Sequence, residues 1–161
     1  MSRIDELTRN DILKDVESKV KKRAKVLHIP RYLGVTRDYV VHMEVDSSTG
    51  NGSYVVRIKL DEYPSIESDA TLTTEEKVRL SLAGDIKLHC TCPAFRYWGY
   101  EYITTQLDAN SHTNQYLYPS VRNPNLEGTL CKHCYRAVRS FGSYWKLIAK
   151  DIDNMNFIEE R

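Results

Sequence analysis

Apolar residues recur near helical spacing at Leu7, Ile12, Leu13, Val16 and Val20, and a basic run of Lys19, Lys21, Lys22, Arg23 and Lys25 follows. With Ser2 ahead of Asp5 and Glu6, and Asn10-Asp11 as a second cap, this pattern predicts a helical arm over residues 1–30. The terminal cations complement the dipole of such a helix and also offer a contact to an anionic partner. From Tyr39 to Leu60 the period changes to two, on either side of a Ser/Thr/Gly/Asn cluster, which predicts a β-hairpin. An acidic connection around Pro64 follows, over residues 61–76. A second alternation from Lys77 to Cys92, with Ala83-Gly84-Asp85 as its turn, predicts another hairpin.

After Pro93 the aromatics Phe95, Trp98 and Tyr102 fall on one face of a predicted helix. Residues 108–130 lack periodicity and are rich in Asn, Ser, Pro and Gly, so they read as a long loop of the kind retained for a function or a partner. A long amphipathic helix is then predicted from the spacing of Val138, Phe141, Trp145, Ile148 and Ile152, packed on the domain's own sheet. The sum is an α+β fold. Antiparallel hairpins and helices form a domain over residues 31–161, preceded by the arm.

Composition narrows the function classes. The 161 residues include 23 Lys and Arg against 22 Asp and Glu, so bulk charge does not provide a nucleic-acid coat, and any basic surface must be local. No run approaches the roughly 18 apolar residues that span a bilayer. The opening MSRIDELTRNDILKDV carries acids and no export-type apolar run, which places the chain in a reducing compartment and favours metal binding over disulfides for its cysteines.

Four cysteines occur as two tight pairs, Cys90-Thr91-Cys92 and Cys131-Lys132-His133-Cys134. Thiols at i and i+2 on a strand end point to one face and share one metal. The second group completes a tetrahedral set either as Cys131 with His133 or as Cys131 with Cys134; soft sulfur and imidazole donors suit Zn²⁺ in a structural role. His89 reads as a half-exposed strand residue facing away from Cys90. The cluster would carry a net charge of about −1, which cations such as Lys132, Arg136 and Arg139 screen.

This spacing resembles the SWIM-type zinc finger, a CxC, a variable gap and a CxH on a strand-strand-helix frame. The strings CTCPAFRYWGY and NPNLEGTLCKHCYRAV also resemble versions encoded by tailed bacteriophages in virion-associated proteins. The resemblance runs from about Val78 to Ile152. It implies Cys90, Cys92, Cys131 and His133 as the metal ligands, with Cys134 standing where the family usually has an apolar residue. It further implies a virion or host-cytoplasm location.

Three function classes compete. His42-Met43-Glu44 with Cys131-x-x-Cys134 outlines a zinc deaminase, but His42 and Glu44 lie in an alternating strand, and a four-ligand zinc has no open position for water. Thiol redox chemistry at Cys131 is quenched by a bound metal. A SWIM module binding DNA, or a DNA-associated protein, draws on Tyr97, Tyr100, Tyr102, Tyr116, Tyr118 and Tyr135 for stacking, yet balanced charge is a poor footprint for a duplex. The reading that absorbs most features is a non-enzymatic, zinc-stabilised assembly protein. Its partners are other structural proteins or copies of itself, with no membrane contact.

Overall fold

The computed structural model describes residues 12–111 and 118–160, and within them the chain is α+β. Four strands form one antiparallel sheet in the order β1-β2-β3-β4: β1 (Arg31–Val35), β2 (Val40–Asp46), β3 (Ser53–Leu60) and β4 (Ile86–Cys90). The predicted hairpin is β2–β3, with Val41 opposite Ile58, Met43 opposite Val56 and Asp46 opposite Ser53 at the turn. β4 adds to the far side of β3, where Val56 pairs with Cys90 and Ile58 with Leu88.

Strand alternation divides the two faces chemically. Val41, Met43, Val45, Val56, Ile58, Leu60 and Leu88 are buried on one face and make the centre of the core. The opposite face carries His42, Arg57 and His89 in one cross-strand row, and all three are buried as well.

Seven α-helices surround the sheet among the described residues. Residues 1–11, including the predicted caps at Ser2 and Asn10-Asp11, lie outside the described part. Helix α1 (Ser18–Lys25) buries Val20 and Ala24, and Ile12, Val16 and Leu27 join the same core. A short α2 (Tyr63–Ile66) interrupts the acidic connection, and its Tyr63 is buried.

The second predicted hairpin is half wrong: only Ile86–Cys90 is a strand, and Thr74–Ala83 is helix α3. A capping box overrides the short alternation of Val78, Leu80 and Leu82. The Thr73 hydroxyl accepts from the Glu76 N–H at 3.1 Å, and the Glu76 carboxylate accepts from the Thr73 N–H at 3.2 Å. Burial then follows helical spacing, with Val78 and Ser81 inside and Leu80 about half exposed.

The helix after Pro93 is two helices, α4 (Pro93–Tyr97) and α5 (Tyr100–Gln106). Gly99 separates them at φ 98°, and a Cβ there would stand 2.3 Å from Pro119 Cγ, so both backbone and packing demand glycine. The C-terminal helix is likewise divided into α6 (Lys132–Ser140) and α7 (Trp145–Asp153) by a 3-10 turn at Phe141–Ser143. The predicted stripe still packs within the domain. Phe141 and Ile148 are fully buried, α6 lies across β2, β3 and β4, and α7 packs on α3 and β1. No helix of the described residues is long and apolar enough to cross a membrane.

Candidate metal centre

The first two thiols are set by the sheet. Cys90 ends β4 opposite Val56, and the chain leaves the ladder through Thr91, whose N–H donates to the Val55 carbonyl at 3.1 Å. In return the Val55 N–H donates to Thr91 Oγ1 at 3.0 Å, so the residue between the two cysteines is tied to β3 by backbone and side chain. Cys92 then caps α4: its sulfur accepts the Phe95 N–H at 3.4 Å.

The second pair is set by a helix. Cys131 caps α6, and its sulfur accepts the Cys134 N–H at 3.4 Å. Two helix N-termini thus direct N–H groups at sulfur. A further N–H, that of Cys92, donates to Cys90 Sγ at 3.4 Å.

These elements bring Cys90, Cys92, Cys131 and His133 together, with one donor atom from each within 4.8 Å of all the others. All four residues are buried, His133 at 4% exposure. Cys134 is fully buried beside them but is not one of the four.

Three observations test whether these residues fit a metal ion. Neither ring nitrogen of His133 has a hydrogen-bond partner, although a buried imidazole normally finds one; coordination would satisfy one of them. The four cysteines are all free thiols, packed together without a disulfide. Burial pushes the Cys90 and Cys134 thiols well above their ordinary range, and the Cys131 sulfur, with burial adding, does the same to Cys92. Such thiols stay neutral on their own, whereas a cation among them stabilises the thiolates. The donor set fits a soft or borderline cation, and four protein donors fill a tetrahedron.

His42 and Glu44 do not join this cluster. His42 faces the opposite side of the sheet, so the deaminase constellation is not assembled among the described residues. Glu44 instead accepts from Arg31 Nε at 2.9 Å across the β1–β2 ladder.

His89 is buried, at 8% exposure, where a half-exposed residue was expected. Its Nδ1 lies 3.0 Å from Arg57 Nη1, and its Nε2 lies 3.8 Å from Glu101 of α5. Glu160 approaches the other end of the row, 3.6 Å from both His42 Nε2 and Arg57 Nε. Alternation in the sequence already put His42, Arg57 and His89 on strand faces opposite the aliphatic ones. What it did not contain was the cover, since Glu101 and Glu160 come from distant segments.

A scan against protein-family models finds no match to the chain, and neither known curated proteins nor solved structures match it.

Proposed function

We propose that the protein is a non-enzymatic assembly component whose C-terminal half is held by one structural Zn²⁺ on Cys90, Cys92, Cys131 and His133, and that it acts through protein–protein contacts in a tailed-phage particle. The observation that carries this reading is the four-donor buried cluster between the end of β4 and the start of α6. Four protein donors leave no coordination position for substrate or water, which supports a structural role over a catalytic one.

The cluster also has a mechanical task. It joins two points separated by 38 residues of sequence. Loop closure costs only about 0.6 kcal/mol for each doubling of length, whereas a structural zinc supplies on the order of 10 kcal/mol, so one ion holds the long connection with a wide margin. The virion assignment rests on the SWIM-like motif and its phage-like flanks, and on an irregular segment suited to meeting a partner.

Metal analysis of the purified chain is expected to give one zinc per protein. His133→Ala is expected to lose the ion and Cys134→Ser to keep it. A zinc-free native protein overturns the structural reading, and retention in the His133 variant with loss in the Cys134 variant moves the fourth ligand to Cys134. Cross-linking in assembled particles, read by mass spectrometry, tests the partner: links to other structural proteins are expected, and a chain absent from particles removes the virion assignment.

A further inference from the structure

The face of the sheet turned away from the aliphatic core holds buried charge, and a hollow opens beside it. His42 and Arg57 stand opposite each other in the β2–β3 ladder, with side chains 7% and 9% exposed. Leu33, Val55, Ile158 and Glu159 complete the walls, and the space of about 510 Å³ is that of a pocket for a small organic molecule.

A buried guanidinium is costly without an opposite charge. Arg57 is fixed at one end, where Nη1 donates to His89 Nδ1 at 3.0 Å, and its Nε faces the Glu160 carboxylate. Glu160 Oε1 stands 3.6 Å from Arg57 Nε and 3.6 Å from His42 Nε2, too far for a hydrogen bond to either. The Glu160 side chain is 39% exposed. It marks where an anion is wanted without filling the position.

Glu160 belongs to a segment that is seated by other contacts. The Ile158 N–H donates to the Val35 carbonyl at 3.0 Å. Its side chain packs over Gly34, where a Cβ would stand 2.6 Å from Ile158 Cγ2. The anchor lies two residues before the carboxylate, so the Glu160 side chain is able to swing aside while Ile158 stays.

We propose that this hollow binds a small organic monocarboxylate, whose head group displaces the Glu160 side chain from Arg57 and His42 and whose apolar body rests on Leu33, Val55 and Ile158. The reading is independent of the metal centre and of any protein partner. Arg57 Nε, and His42 Nε2 in the tautomer that carries its proton there, offer two N–H donors to the two oxygens of a carboxylate. Aliphatic walls suit an organic body, which an inorganic anion lacks. Glu159 in the same hollow opposes a second negative charge, so a monoanion is favoured over a phosphate dianion.

Titration of the metal-loaded full chain with sodium hexanoate, followed by the Arg57 Nε–H and the backbone amide resonances in nitrogen-15 NMR spectra, tests the proposal. Saturable shifts are expected at Arg57, Leu33 and Val55. Glu160→Gln removes the tethered competitor and is expected to tighten binding about fivefold. The neutral isostere hexanamide is expected to bind about tenfold more weakly than hexanoate. Arg57→Gln is expected to abolish binding; if that buried change alters the circular dichroism, His42→Phe serves, with a loss of about tenfold. Absence of saturable shifts in the Glu160→Gln protein at about 20 mM hexanoate overturns the proposal, since binding that weak is worth no more than about 2 kcal/mol. Unchanged affinity in the Glu160 variant does so too. Equal binding of hexanamide would reduce the hollow to an apolar cavity, and tighter binding of inorganic phosphate than of hexanoate would remove the carboxylate assignment.

Discussion

The β1–β3 sheet and the segment from Cys90 to Ser140 solve the same problem by different means. In the β2–β3 ladder Val41, Met43, Val45, Val56, Ile58 and Leu60 alternate into the core, and a continuous register from Val40 opposite Lys59 to Asp46 opposite Ser53 satisfies the backbone. The Cys90–Ser140 segment has short helices of five, seven and nine residues, and its described residues between Gln106 and Lys132 form no helix or strand. Helices of that length do not persist alone. They are held by the sheet they lie on, through Phe95, Ile103, Leu130 and Ala137 in the shared core, and on the proposed reading by a metal ion as well. One region relies on many weak contacts alone, and the other would add one concentrated site to them.

The sharpest way to break this contrast is to remove the ion. Chelation, or Cys90→Ser, is expected to release zinc and to unfold α4 to α6 while the β2–β3 ladder keeps part of its protection. Amide hydrogen exchange resolved by segment measures it, and uniform loss across both regions would show that the sheet has no stability of its own. A change in the sheet core is expected to act in the opposite way. Ile58 is fully buried at the centre, and Ile58→Ala should cost about 2–5 kcal/mol without changing zinc stoichiometry, as read from urea unfolding followed by metal analysis.

The smallest effect belongs to the exposed rim of the sheet. Arg31, with His28 adding, holds the Asp46 carboxyl down at about 2. A folded-state pKa below the unfolded one adds stability above about pH 4 that is lost as pH falls through the window between roughly 4 and 2. The urea midpoint of Asp46→Asn should therefore sit slightly below that of the parent at pH 6 and meet it near pH 2. An equal gap at both pH values would assign the difference to packing.

Legibility in the sequence followed the same division. The β2–β3 hairpin was readable because a period of two, a polar turn and β-branched residues all agreed. Residues 77–83 misled because Val78, Leu80 and Leu82 alternate, although Thr73 and Glu76 three positions apart already spelled a helix start. The cysteine pairs announced a metal site by spacing alone. The interruptions at Gly99 and Phe141–Ser143 were not readable from periodicity, because they depend on tertiary neighbours such as Pro119. The gathering of Lys19, Arg23 and Lys25 of α1 with Lys132, Arg136 and Arg139 of α6 was hidden for a similar reason. Its cations come from two segments more than 100 residues apart, and only packing adds them together.

The tie between Thr91 and Val55 has a consequence for the order in which the protein matures. Because that tie belongs to the ladder, Cys90 and Cys92 are positioned as soon as β3 and β4 pair, before the connection to α6 has closed. An ion bound by this cluster would meet two sulfurs already in place on the sheet edge, and Cys131 and His133 would complete the set once α6 lies on the sheet. Metal supply would then separate two folding stages, and a chain synthesised without the ion would wait with its sheet built and α6 undocked.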